Sequence, residues 1–216
     1  MYEVALSLLQ KIKTLGYEAY IVGGYPRDAY LGLLSTDIDI CTSMRPIQIL
    51  KSFLVLEDRS QYGSFIIEEK GFLFEITTYR KDYYHNNRYP EIQYVDTLKE
   101  DLYRRDFTMN TLCINQNGEY IDLLGAIQDI QNKSIRMIGN PNVRLKEDPL
   151  RILRAIRFAV NLNFEIEKSL YESIKQNKEL LHKISTSRMQ KELAKVHNQK
   201  KWNEWIELLD LDVHLS

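Results

Sequence analysis

Two carboxylates, Asp37 and Asp39, stand two residues apart in the run Ser35-Thr36-Asp37-Ile38-Asp39-Ile40-Cys41. In a β-strand this spacing puts both acids on one face and sends Ile38 and Ile40 into the core. Like charges so close raise each other's pKa unless a divalent cation fills the gap. Magnesium suits that gap, because it takes oxygen ligands and commonly uses one or two carboxylates plus substrate phosphates. Standing alone, the pair would equally serve as an exposed edge strand. Glu75, flanked by Phe74 and Ile76 in the apolar run Phe72–Thr78, is the candidate third carboxylate, since an unpaired acid is costly to bury there. A solvated strand face is the alternative. Upstream, Tyr20-Ile21-Val22 runs into Gly23-Gly24, and Pro26-Arg27-Asp28 opens a helix. Glycines let backbone N–H groups approach a phosphate chain, and a helix N-terminus with an arginine adds positive potential. Together these pieces describe a site for a metal-bound triphosphate.

Two later segments carry paired charges. In Arg104-Arg105-Asp106-Phe107-Thr108-Met109-Asn110, two guanidiniums beside a carboxylate can grip phosphate and ribose hydroxyls, with Asp106 orienting them. The same residues would also suit a helix terminus. In Glu147-Asp148-Pro149-Leu150-Arg151-Ile152-Leu153-Arg154, Asp148 and Arg151 lie three apart on one helix face. An Asp acceptor next to an Arg donor complements the pairing edges of cytosine and adenine. Uracil and guanine would leave a buried acceptor unpaired, at a cost of ~1 to 3 kcal/mol. The alternative is an intrahelical ion pair worth only ~0.3 to 0.5 kcal/mol.

The elements that must position these groups divide the chain. The first ~130 residues alternate β-rich runs with helical patterns. Strands are expected at 20–22, 37–41, 64–68 and 72–78, with weaker ones at 112–115 and 120–122 around Asn117-Gly118. Helices are expected at 27–33, 46–53 and 98–104. An N-terminal amphipathic helix puts Ala5, Leu8, Leu9, Ile12 and Leu15 on one face and stops at Gly16. The polar, aromatic segment 80–92 has no periodicity and reads as a long mobile loop. From about Asp148 helices take over, at 148–160, 167–182, 186–197 and 201–209, with Asp148 as N-cap and Pro149 at the first helical position. The expected architecture is α+β: a mixed-sheet N-terminal domain over 1–140, then an all-α segment over 141–216.

Composition bounds what such a chain can be. With 216 residues, 44% apolar and 27% charged, it can bury a core without staples, and disorder is excluded. Cys41 and Cys113 lie in apolar stretches with no zinc-ligand spacing, which points to buried thiols in a reducing compartment. No run approaches a membrane span or a signal peptide, so the expected location is the cytoplasm. The net charge of −1 hides an asymmetry: residues 133–201 hold 16 Lys and Arg against 7 Asp and Glu, the rest 13 against 23. An acidic front suits cations and a basic back suits polyanions, although two ordinarily solvated halves would look the same.

In this order the motifs resemble the class II tRNA nucleotidyltransferase and bacterial poly(A) polymerase family, within the DNA polymerase beta-like nucleotidyltransferase superfamily. Gly23-Gly24-Tyr25-Pro26-Arg27-Asp28 with Asp37-Ile38-Asp39 resembles its first motif, and 104–110 its second. Asp122-Leu123-Leu124-Gly125 through Ile135-Arg136 is similar to the third, 147–154 to the fourth, and Ser187-Arg188 with Glu192-Leu193 to the fifth. The resemblance spans about residues 17–197. Pro26 and the turn Leu124-Gly125-Ala126 depart from the family pattern, and relatives continue well past residue 216.

The resemblance implies a polymerase beta-like head and a helical neck that add C and A to the 3′ end of tRNA from CTP and ATP. It implies two magnesium ions on Asp37, Asp39 and Glu75, with Gly23, Gly24 and Arg27 cradling the triphosphate. Arg105, Asp106 and Asn110 would contact sugar and phosphates, and Glu147, Asp148, Arg151 and Arg154 would form the base-reading helix. The alternatives are a poly(A) polymerase, a CC-only or A-only adding enzyme, or a nucleotide-binding module that needs a separate subunit or a missing C-terminal part to hold RNA. Segment 80–92 resembles the loop that permits the family's switch from C to A, which favours full CCA or A addition.

Overall fold

The computed structural model describes residues 1–84, 90–211 and 213. The chain forms two compact units, one of residues 1–105 and 109–127 and the other of 106–108 and 128–216.

The first unit is built on a seven-stranded mixed sheet in the order β3-β4-β5-β2-β1-β8-β9. Its strands are β1 (Ala19–Val22), β2 (Asp39–Thr42), β3 (Val55–Arg59), β4 (Ser64–Glu69), β5 (Phe72–Thr78), β8 (Cys113–Ile114) and β9 (Tyr120–Ile121). Only the β2–β5 pair is parallel, and it aligns Asp39 with Glu75. On one face, helix α1 (Tyr2–Thr14) lays Ala5, Leu8, Leu9 and Ile12 over Ile21, Ile40, Phe65, Phe74 and Ile76. Each such Leu, Ile or Phe side chain, once buried, contributes roughly 1.5–3 kcal/mol. Leu15, expected on this face, lies beyond the helix and is 47% exposed. On the other face Val22, Cys41 and Cys113 pack with Tyr79, Val95, Leu98 and Leu102, the last two from α4 (Leu98–Tyr103). Both cysteines are free and buried.

Several boundaries differ from the sequence expectation for local reasons. Helix α2 spans Gly24–Tyr30 instead of starting at Arg27. Gly23 turns the chain with φ +87°, and Pro26 is tolerated in the first turn, where helical N–H groups have no partner. Strand β2 begins at Asp39, so Asp37 lies in the segment before it, yet the inward alternation holds, with Ile38 and Ile40 buried. Segment 80–92 is not simply a loop: β6 (Arg80–Tyr83) and β7 (Glu91–Tyr94) form an antiparallel ribbon pairing Arg80 with Tyr94 and Tyr83 with Glu91. Its strands have no apolar face, which removed the signal. Residues 85–89 of that segment lie outside the described residues. Helix α3 (Pro46–Ser52) matches expectation, whereas the exposed edge strand β3 offered no alternation to find.

Helix α5 (Ala126–Gln131) follows a turn in which the Asp122 carboxylate accepts the N–H groups of Leu124, Gly125, Ala126 and Ile127 at 2.8–3.2 Å.

The second unit is mostly helical: α6 (Pro141–Glu147), α7 (Leu150–Leu162), α8 (Lys168–Gln176), α9 (Thr186–Leu193) and α10 (Gln199–Leu208). Short strands β10 (Ser134–Ile135) and β11 (Glu165–Ile166) pair in parallel, so strand structure does not end at Asp148. Two-residue strands are too short to leave a pattern. Helix α7 buries Ile152, Leu153, Ile156 and Ala159 and ends at Asn163, whose φ of +55° is the left-handed stop that Asn tolerates. Asn140 caps α6 by accepting from Asn142 and Val143. Asp148 closes α6 in an extended conformation, as residues before proline prefer, and Pro149, not Asp148, is the residue that precedes α7. The Asp148 carboxylate still accepts the Leu150 N–H at 3.3 Å.

Candidate active site

In the first unit the chemistry gathers at the C-terminal end of β1. Gly23 sits where a Cβ would come within 3.3 Å of the Asp39 carboxylate, so its φ of +87° favours glycine and a side chain there would crowd Asp39. Asp39 and Glu75 face each other across β2 and β5 and line one cleft of about 290 Å³ with Arg59, Ser64, Arg80, Arg104 and Arg105. Burial, then the nearby charges of Asp37 and Glu75, push the Asp39 carboxyl up to about 6. Glu75 accepts a 2.5 Å hydrogen bond from the Ser64 hydroxyl. Asp37 is exposed on the approach to β2.

Among the described residues no three His, Cys, Asp or Glu side chains form a ready metal cage. The donor chemistry nevertheless fits a hard divalent cation. Two carboxylates, Asp37 and Glu75, act electrostatically on a third, Asp39, and magnesium completes its shell with water and substrate phosphates rather than with a full protein cage.

Gly24, Arg27 and Asn110 come together, but not as an open cradle. Arg27, 6% exposed, donates to Asp28 through Nε (2.8 Å) and Nη2 (2.6 Å), and through Nη1 to the Asn110 side-chain oxygen at 2.5 Å. A Cβ on Gly24 would lie 3.6 Å from that guanidinium. Arg27 is thus a brace behind the glycine turn.

Arg104 and Arg105, which Asp106 is expected to orient, have another acidic partner. Asp101, one turn back on α4, holds both guanidiniums: Arg104 Nε donates to it at 2.8 Å and Arg105 Nη2 at 3.0 Å. Helical spacing explains the choice, since residues three and four apart share a face. In the sequence only its i, i+3 and i, i+4 spacing to Arg104 and Arg105 marks Asp101.

In the second unit Asp106 receives Arg154 Nε at 2.7 Å. Asp148 and Arg151 do not bond as a pair. Arg188 Nη2 donates to both Asp148 oxygens at 3.1 and 3.2 Å, while Arg151 Nη1 donates to the Arg144 carbonyl (2.6 Å) and to Glu147 (3.1 Å). Glu147 also receives Arg144 at 2.6 Å, and buried Glu192 receives Arg157 at 2.7 Å. The fifth motif, through Arg188 and Glu192, therefore braces the fourth. Asp129 and Arg136, from the third, pair at 2.9 Å, and Thr108 donates to Asp129.

A mixed sheet presenting an Asp-x-Asp segment beside a Gly-Gly helix start defines a nucleotidyltransferase-type head. Comparison with known proteins narrows this. The Poly A polymerase head domain family matches residues 19–136, and the family described as the probable RNA and SrmB-binding site of polymerase A matches 163–211. The CCA-adding enzyme of Limosilactobacillus reuteri (strain DSM 20016) is 43% identical over 199 residues, 91% of this chain and 49% of that protein. The crystal structure of the Bacillus stearothermophilus CCA-adding enzyme in complex with CTP superposes with a TM-score of 0.84 at 37% identity, covering 90% of this chain and 48% of that one. A tRNA nucleotidyltransferase complexed with a primer tRNA and an incoming ATP analog gives 0.74 at 32% identity, over 93% and 59%.

The chain belongs to the tRNA nucleotidyltransferase and poly(A) polymerase family. It spans about half the length of the curated relatives it matches. No described helix is long and apolar enough to cross a membrane.

Proposed function

We propose that this chain carries the chemistry of a template-independent RNA nucleotidyltransferase that adds C and A to the 3′ end of tRNA from CTP and ATP. The observation that carries the reading is the cleft in which Asp39 and Glu75 lie in register, with Gly23 against Asp39. Asp37 and Asp39, with Glu75, are the groups to hold magnesium. Bound there, two such ions would supply Lewis-acid stabilisation of charge at the α-phosphate and lower the pKa of the attacking 3′-hydroxyl.

The chain's own residues then have separate tasks. Gly23 and Gly24 let backbone approach the triphosphate, and Arg27 holds that turn through Asp28 and Asn110. Arg105 faces the cleft and offers its fork to phosphate oxygens. On the second unit, Asp148 and Arg151 are each fixed by another side chain, so their hydrogen-bonding pattern is set before a base arrives. A carboxylate has about four lone-pair sites, so Arg188 leaves Asp148 able to accept from the amino group of cytosine or adenine. Asp106 and Glu147 position Arg154 and Arg151 respectively. Basic residues of 133–201 suit an RNA backbone, an attraction that weakens steeply with salt. Two buried free thiols agree with work in the reducing cytoplasm.

The test is incubation with tRNA trimmed of its 3′ CCA, giving each NTP alone and CTP with ATP together. Addition of C from CTP, followed by A only when ATP is present, is the expected result. Repeated A addition would make the protein a poly(A) polymerase, C without A a CC-only enzyme, and A on a CC end alone an A-only enzyme. NTP binding with no transfer to RNA would favour a module that relies on a separate RNA-binding part.

A further inference from the structure

We propose that Asp101 is a positioning residue whose carboxylate sets Arg104 and Arg105 as one cationic wall for the phosphates of the incoming nucleotide. The proposal rests on the nucleotidyl-transfer reading and adds two residues to it.

Asp101 is fully buried on α4. Its Oδ1 accepts Arg104 Nε at 2.8 Å and the Arg80 backbone N–H at 3.2 Å, and its Oδ2 accepts Arg105 Nη2 at 3.0 Å. A carboxylate so placed cannot meet substrate; it can act only through the groups it holds. A fully buried acid is strongly disfavoured unless it is paired and hydrogen-bonded. Burial alone would raise the Asp101 pKa, but the Arg104 and Arg105 charges outweigh it and the net direction is down. For Arg105, burial works against the cation and Asp101 overrides it, so the guanidinium stays charged.

Arg80 binds Asp82 at 2.8 Å, and Arg104 lies 4.0 Å from the same Asp82 carboxylate. Arg80, Arg104 and Arg105 all line the cleft that Asp39 and Glu75 enter, so Asp101 fixes two of the guanidiniums that face those acids. A triphosphate would use such a wall, because rigid guanidinium forks match phosphate oxygens bidentately and fixing them beforehand saves the cost of ordering them on binding.

The experiment compares CTP and CMP affinities, by calorimetric titration of the full chain with magnesium, for the native protein, Asp101→Asn and Arg104→Lys. Circular dichroism melts confirm folding. Asp101→Asn is expected to lose roughly tenfold or more in CTP affinity, the scale of a charge-assisted hydrogen bond, while CMP affinity falls less than about threefold. Arg104→Lys, which keeps the charge and loses the fork, is expected to show the same CTP-selective loss at smaller size. If Asp101→Asn does not fold, Arg104→Lys decides the matter alone. Unchanged CTP affinity, or equal losses for CTP and CMP, would overturn the positioning role while leaving the transfer reading intact. A native protein that binds neither nucleotide would overturn the transfer reading and this proposal with it.

Discussion

The candidate-site acids of the two units are placed in different ways. In the first, Asp37 and Glu75 both act on Asp39, which is pushed up to about 6 by burial and by these neighbours. In the second, Asp106, Glu147, Asp148 and Glu192 each hold a guanidinium, at 2.5, 2.6, 3.1 and 2.7 Å. The Arg104 and Arg105 charges oppose the rise at Asp39 only in part, which leaves a partly compensated group of acids whose repulsion a metal cation relieves. A compensated one spends its charge on fixing side chains in place. The same residue type thus serves cation capture in one unit and preorganised hydrogen bonding in the other.

The contrast can be broken at four points. The largest effect is expected from Asp37→Ala or Asp39→Ala, which should cost roughly a thousandfold or more in nucleotide incorporation, since metal-assisted charge stabilisation is worth several kcal/mol. Melting temperatures should stay near native or rise, because the substitution removes a repelling charge. Next, Asp148→Ala should leave overall transfer measurable but relax the choice of C and A over U and G by about 10- to 100-fold, read from competing NTPs. Arg188→Ala should move selectivity the same way by loosening Asp148.

A smaller effect concerns pH. The Asp39 carboxyl titrates at 3.8 by default and at about 6 in the fold, so folding takes up a proton between these values. Its stabilising contribution is complete below the unfolded value and is lost as pH rises through about 6. Melting curves from pH 4 to 7 should therefore show a decline that Asp39→Asn removes and magnesium offsets above pH 6. Smallest is Asp122→Ala, which strips four backbone N–H groups of their acceptor and should cost about 1–2 kcal/mol in denaturant unfolding, with little change in transfer.

What the sequence made legible follows from the range of each interaction. Periodicity located α1, β4 and β5 because each has one buried face. It missed β3, β6 and β7, whose side chains are mostly polar or exposed. The motifs named Asp39 and Glu75, which line a common cleft. They passed over Asp101, to which the i, i+3 and i, i+4 geometry of a helix gives both arginines. They joined Asp148 to Arg151, whereas Arg188, forty residues on, takes Asp148 through tertiary packing that spacing cannot reveal.

The most direct test of the account is a manganese titration followed by electron paramagnetic resonance, with CTP present, on the native protein and on Asp39→Asn. The account predicts saturable binding to the native protein that weakens as pH falls below 6 and is lost in the folded variant. Equal binding by both proteins, or none by the native one, would contradict it.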